Sequence, residues 1–275
     1  MTGPTDPATA ATTAPVALTE PAPSAEPVPA AEPVPPAEPR QRWRLTFARD
    51  PVPADQVGRA VLDSWQAALI GSGLPMAGLD EGGAGRARIA FASALPAAAS
   101  GEAELADLWL LERRPLWAVR EGLADRLPAA HRWISAEDIW LGEPALAGRV
   151  SAADWRIELG RPAADRARIA EAARHLIAAP SLPRTRRKGA TEKPYDLRLL
   201  LEDVAVDNGS TAASVVLRVR TRLHPELGAG RPEEVVAALA ESLGVAIEIA
   251  ALARVRLVLG DEPPARPRPT GFSRR

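Results

Sequence analysis

Apolar residues recur along this chain with two periods, and the periods alternate. Arg42-Trp43-Arg44-Leu45-Thr46-Phe47 has period two, which predicts a strand with Trp43, Leu45 and Phe47 on a core and the arginines turned to water. Pro51 and Pro53 break that strand. Val57, Val61, Leu62, Trp65 and Leu69 then recur at three and four, a helical stripe ending near Gly71 and Gly73. A glycine-rich connection at Gly82, Gly83 and Gly85 leads to strands at Ile89 to Phe91 and Leu105 to Leu111. Leu116, Val119, Leu123 and Leu127 form a helix after Pro115, and a strand runs between Trp133 and Leu141. The order is β-α-β-β-α-β.

The second half repeats it. Trp155, Ile157 and Leu159 alternate as a strand, and Pro162 opens a helix with Ile169, Ala173, Leu176 and Ile177 on one side. Leu197, Leu199 and Leu201 predict a strand that turns at Asn208-Gly209 and returns through Val215, Leu217 and Val219, since Asn-Gly supplies the positive φ angles of a tight hairpin. Pro232, Glu233 and Glu234 start a helix that buries Val235, Val236, Leu239 and Leu243 and stops at Gly244; Val255, Leu257 and Leu259 close the unit. Two such units predict an α+β protein of two tandem ferredoxin-like (βαββαβ) domains, at 41–145 and 151–260, each with two helices on one face of an antiparallel sheet. Gly142 to Ser151 is the boundary.

Composition adds the flanks and removes some chemistry. Residues 1–40 repeat Ala-Glu-Pro-Val-Pro units and are too poor in large apolar groups to offset the entropy of ordering, so a disordered tail is expected there and another at 261–275. Through Pro39 the tail carries five acids and no base, while the whole chain has a net charge of -1; the rest is therefore mildly basic. There is no cysteine, which excludes disulfides and thiolate chemistry, and His131, His175 and His224 are scattered, so neither metal nor cofactor is expected. No apolar run would span a bilayer and no leader pattern opens the sequence, so the expectation is a cytoplasmic protein without a membrane partner.

The densest positive charge lies at Arg184, Arg186, Arg187, Lys188 and Lys193, which includes both lysines of the chain. Arg198, Arg218, Arg220 and Arg222 follow on strands, the last three on one face by alternation. Were the 184–193 segment to lie over that face beside Arg254 and Arg256, a positive surface suited to phosphate would result. Ligand-binding residues are accordingly expected among Arg184, Arg186, Arg187, Lys188, Lys193, Arg198, Arg218 and Arg220. Only Tyr195 offers a stacking ring nearby, which favours RNA backbone contacts over base readout. Asp196 beside Arg198 is the one catalytic candidate, as base or nucleophile of an RNA-modifying or hydrolytic enzyme. A lone acid at a strand start more often serves an ion pair. Trp109 and Trp140 break the alternation of their strands and form a candidate exposed pair for a protein partner.

Several short stretches, in order, resemble a family of radical-SAM-linked bacterial proteins of unestablished activity. They are Gly73-Leu74-Pro75, Arg88-Ile89-Ala90-Phe91, Ser100-Gly101-Glu102 to Asp107, Arg187-Lys188-Gly189, Asp196-Leu197-Arg198 and Arg231-Pro232-Glu233-Glu234-Val235. The resemblance implies an adaptor that works beside a radical SAM protein. This chain has no cysteines for an iron-sulfur cluster and so is not that enzyme. It departs from the family at Val57-Gly58-Arg59-Ala60, where relatives carry Ser-His-Leu-Asp, and at Glu81 to Ala87, where they carry a histidine-containing loop.

Overall fold

Start and stop signals fix the helices. Pro232 occupies the first turn of the helix Pro232–Leu243, Glu233 and Glu234 lie at its positive end, and Gly244 closes it at φ 68°. Asp165 caps the helix Arg166–Ala178, accepting a bond of 2.8 Å from the Arg168 amide. The computed structural model describes residues 37–80, 82–160, 165–188, 191–207 and 214–260. Pro162, Gly189, the Asn208-Gly209 turn, the 261–275 tail and all but the last four residues of the 1–40 tail lie outside the described residues.

The elements in chain order are β1 (Gln41–Arg49), a 3-10 turn (Ala54–Gln56), α1 (Arg59–Gly71), β2 (Ile89–Phe91), β3 (Ser100–Leu110), α2 (Leu116–Leu123), β4 (His131–Ile139), α3 (Leu146–Arg149) and β5 (Val150–Leu159), then α4 (Arg166–Ala178), β6 (Pro183–Lys188), β7 (Thr191–Asp196), a second 3-10 turn (Leu197–Leu200), β8 (Leu201–Val206), β9 (Val215–His224), β10 (Gly228–Ala229), α5 (Pro232–Leu243) and β11 (Ile249–Leu259). The class is α+β. Nine strands form one mixed sheet along the path β10-β9-β5-β11-β3-β1-β4, with β2 on β3 and β8 on β9, while β6 and β7 form a separate two-stranded sheet. All pairs are antiparallel except β11 and β3, which run parallel through Ala253↔Ser100 and Arg254↔Gly101.

The helices α1, α2, α4 and α5 bury their stripes on one face of this sheet. Trp65, Leu69, Val119 and Leu123 pack against Trp43, Leu45 and Phe47, and Ile169, Leu176, Val235 and Leu239 against Trp155, Ile157 and Leu217. Cross-strand partners share a face, so Glu104 lies with Phe47 and Arg254 with Trp155. Arg254 and Glu104 form an ion pair across the parallel seam, which puts both helix pairs on the same side.

The other face of β1 is covered as well, and this corrects the expectation that its arginines meet water. Arg42 and Arg44 are 2% and 7% exposed. The connector after β4 crosses behind β1 and β3. Arg42 donates to the carbonyls of Glu143 and Pro144 and, at 2.5 Å, to the Asp107 carboxylate; Arg44 donates to Asp107 at 2.9 Å and Glu143 at 3.2 Å. Asp107 is fully buried, and Arg149 closes on Glu143 from the next element. Trp109, expected at the surface, is buried under the guanidinium groups of Arg42 and Arg88, while Trp140 is 74% exposed as anticipated.

The predicted strand from Leu197 to Leu201 is also corrected. Leu197–Leu200 is a 3-10 turn in which Leu197 and Leu200 are buried and Leu199 is exposed. A period of three, not two, brings its leucines inward.

Removing a buried acid that serves two arginines leaves uncompensated charge, so Asp107→Ala is expected to lower the unfolding free energy by about 3–5 kcal/mol in a denaturant titration. Replacing Arg42 and Arg44 by Met in that background should restore much of the loss.

Candidate functional site

Alternation along β9 sends Val215, Leu217, Val219 and Thr221 to the helix side and Arg218, Arg220 and Arg222 to the back, as the sequence predicts. Each back-face arginine meets a carboxylate there. Arg220 makes a two-pronged contact with Asp154 at 2.6 and 2.9 Å, and Arg256 reaches the same carboxylate at 3.0 Å. Arg218 pairs with Asp207 at 3.1 Å, Arg222 with Glu202 at 2.8 Å, and Arg156 with Glu102. Burial by itself would raise the Asp154 carboxyl, but the hydrogen bonds and charges of Arg220 and Arg256 outweigh it and hold the group below the ordinary carboxylate value. Every arginine of this face thus meets a carboxylate, five arginines sharing four acids. Their signal was present in the strands: Asp154 and Glu158 alternate with Arg156, but which arginine each meets is set by cross-strand register.

The 184–193 segment does not lie over this face. β6 and β7 pair with each other from Pro183↔Asp196 to Lys188↔Thr191. Arg184 donates to Glu241 of α5 at 3.0 Å, with Glu234 at 3.9 Å, and Arg186 donates to the carbonyl of Ala229 at 2.8 Å while stacking over Tyr195. These contacts belong to the helix side of the sheet. Arg187 and Lys188 stand at the end of β6, and Lys193 on β7 is exposed. Burial, with the charge of Glu234 next, raises the Tyr195 hydroxyl above its ordinary value, so the ring remains neutral.

Arg254 and Arg256, expected beside one another on the basic face, go to opposite faces. A register shift between them against β5 pairs Arg254 with Trp155 and Arg256 with Asp154. Arg254 turns inward to Glu104, both oxygens of which it holds at 2.8 and 2.5 Å. Gly101 makes the room: a Cβ there would come within 2.5 Å of the Glu104 side chain.

Asp196 is committed to the backbone. Its Oδ1 accepts from the Leu182 amide at 2.8 Å and the Arg198 amide at 2.9 Å, capping the second 3-10 turn and fastening the start of β6. Arg198 does not pair with it through its guanidinium, which donates to the carbonyls of Ile177 and Leu201 at 2.9 and 2.7 Å. Burial would raise the Asp196 carboxyl, but the bonds from Leu182, Arg198 and Ser181 win and keep it low. Among the described residues, no group of three or more His, Cys, Asp or Glu is placed to hold a metal, and no helix is long and apolar enough to cross a membrane.

These features define an α+β protein with a sheet whose back-face arginines are paired with acids and a basic hairpin held against its helical side. The chain belongs to the family described as an uncharacterized protein conserved in bacteria (DUF2344), whose model matches residues 64–225. No curated protein matches it. Solved structures similar to it include the following two. One, from the crystal structure of a Cbf5-Nop10-Gar1 complex, is 10% identical at a TM-score of 0.47, over 78% of this chain and 48% of that one. The other, from an archaeal box H/ACA sRNP Nop10-Cbf5 complex, is 11% identical at a TM-score of 0.39, over 78% and 47%. The chain spans about half the length of each.

Because Asp196 acts through backbone hydrogen bonds, Asp196→Ala is expected to cost about 1 kcal/mol of stability, most of it recovered by Asp196→Asn, in thermal or denaturant unfolding. Its carboxyl lies lower in the folded than in the unfolded chain. The ionised acid therefore contributes fully above the ordinary carboxyl value, and that contribution fades as pH falls through the lowered one. The wild-type advantage over Asp196→Ala should shrink correspondingly in acid.

Proposed function

We propose that this protein is a noncatalytic binding protein, an adaptor whose β6–β7 hairpin engages the phosphate backbone of RNA. The observation that supports this is where unbalanced charge remains. The back-face arginines are matched by acids, whereas the hairpin carries Arg184, Arg186, Arg187, Lys188 and Lys193 against Glu192 and Asp196 in a two-stranded sheet that does not join the main one. Asp196 is occupied by the backbone amides of Leu182 and Arg198. Arg184 and Arg186 anchor the hairpin, which leaves Arg187, Lys188 and Lys193 as the contact residues of this reading. Tyr195, under Arg186, provides no open stacking surface. Contact is then with phosphate, and affinity follows salt.

The same reading takes the framework to be two ferredoxin-like units, 41–145 and 151–260. The sheet neighbours β4-β1-β3-β2 and β11-β5-β9-β8 repeat one order, and each unit contributes two helices to the same side. The resemblance to radical-SAM-linked proteins adds a radical SAM protein as the partner beside which the adaptor works.

Filter binding to single-stranded RNA at low ionic strength tests the proposal. Retention is expected to fall steeply with salt, and Arg187→Ala, Lys188→Ala and Lys193→Ala together should flatten the log-log salt slope by about 2, at roughly 0.7 per phosphate contact. Arg218→Ala and Arg222→Ala should change it little. No retention at low salt, or a triple variant that binds as the wild type does, refutes the RNA reading. Co-purification of a radical SAM protein from the native host tests the partner separately.

A further inference from the structure

A cleft lies beside the N-terminal end of α1, lined by residues of β1, β2, β3 and β4 and the segment after β2. Phe47, Val61 and Phe91 are among its apolar walls, Arg49, Glu104 and His131 its polar groups, and its volume is about 280 Å³. Topology brings these together. Arg49 and His131 are cross-strand partners on β1 and β4, and Glu104 faces Phe47 from β3. The N-terminal end of α1 completes the rim through Val57 and Gly58. Gly58, at φ 64°, precedes the helix without a capping side chain, and a Cβ on it would meet no atom within 4 Å. The first amides of α1 therefore lack a side-chain acceptor, at the positive end of a 13-residue helix.

A second observation at the same place concerns Arg49, which is 5% exposed. Its terminal nitrogens donate to the carbonyls of Leu95, Pro96 and Ala99, yet its buried Nε has no partner. The acid whose charge acts on it, Glu104, is already matched oxygen for oxygen by Arg254. Two guanidinium groups and one carboxylate leave one positive charge in the wall of a largely apolar cleft, a costly arrangement without a counter-ion. His131 does not add to it: burial lowers its pKa, and its Nδ1 is spent on the Ala129 carbonyl at 2.9 Å, so the neutral ring offers Nε2 as an acceptor.

We propose that this cleft binds a small organic monocarboxylate with an aromatic or branched apolar body, its carboxylate set between Arg49 and the first turn of α1. One excess charge and a helix end match a monoanion better than a phosphate dianion. The apolar walls and the volume, just under the usual range for ligand pockets, suit a compact body packed against Phe47, Phe91 and Val61. The site is independent of the hairpin and extends the protein's function to a small-molecule ligand.

The test titrates the full chain with phenylacetate, 3-phenylpropionate and 4-methylpentanoate. The readouts are tryptophan fluorescence, since the Trp65 ring lies 5.4 Å from Phe91, and ligand-observed NMR. At least one acid is expected to saturate, binding about tenfold or more tightly than its neutral amide, as loss of a charged hydrogen bond implies, with inorganic phosphate not competing. Val61→Trp, which fills the cleft and keeps its charge, should lose that binding about tenfold or more at an unchanged thermal midpoint, and Arg49→Met should lose the preference for acid over amide. If Arg49→Met does not fold, the acid-amide comparison in the wild type and the Val61→Trp result decide. No saturable binding by any of the three acids, equal affinity for acid and amide, or undiminished binding to folded Val61→Trp overturns the proposal.

Discussion

A carboxylate with no access to water holds the middle of this molecule together. Asp107 sits on β3 behind the core, and Arg42 and Arg44 from β1 share its two oxygens. Such a group is tolerated only if its charge is matched and its lone pairs are filled, which requires both arginines at once. The arginines in turn hold the carbonyls of Glu143 and Pro144, so the connector between the two halves lies across the back of β1 and β3. Leu146 is drawn into the core by the same crossing, and β5 starts immediately after α3. The position of the second half is thus tied, through a few residues of connector, to one acid of the first.

Where the halves join in the sheet, the same chemistry is used a second time. β11 is the edge at which the second half would end, and a long hydrophobic edge would be a liability. It instead runs parallel to β3 for two residue pairs, and Arg254 crosses that contact to Glu104. The register shift after Arg254 lets one strand serve both faces: one arginine locks the seam from the helix side, and the next alternate arginine joins Asp154 at the back. A strand without that irregularity would send both guanidinium groups the same way, leaving either the seam or the back face unbalanced.

This explains what the sequence could and could not reveal. The stripes of α1, α2, α4 and α5 and most strand alternations are legible because they report a dry face, and the dry face is local to each element; the short α3, within the expected boundary, has no such stripe. The second face is not local. Arg42 and Arg44 look like solvent-facing residues until the connector is laid over them, and no pattern within β1 announces that. Trp109 belongs to the same case, since its apparent exposure disappears between Arg42 and Arg88. The β6–β7 hairpin was hidden for a different reason: Pro183 and Pro194 sit within its strands and its cations mask any apolar period, so only pairing across the turn defines it. The leucines after Asp196 mislead because a 3-10 turn and a strand both bury Leu197 and differ only at the next leucines.

The candidate sites follow from the same accounting of charge. With arginine as almost the sole cation, a planar fork is available at each position, and forks pair with carboxylates wherever register brings the two together. Along the back of the sheet that pairing runs through Arg218, Arg220, Arg222 and Arg256, and what began as a basic stripe becomes one in which every guanidinium meets a carboxylate. Two places among the described residues carry more cations than acids for a different reason: a hairpin outside the main sheet, by its composition, and Arg49, whose neighbouring acid was claimed by the seam. Neither place is marked by a motif. The first can be found from composition. The second appears only when it is known that Glu104 is needed elsewhere, which depends on the strand pairing that joins the two halves.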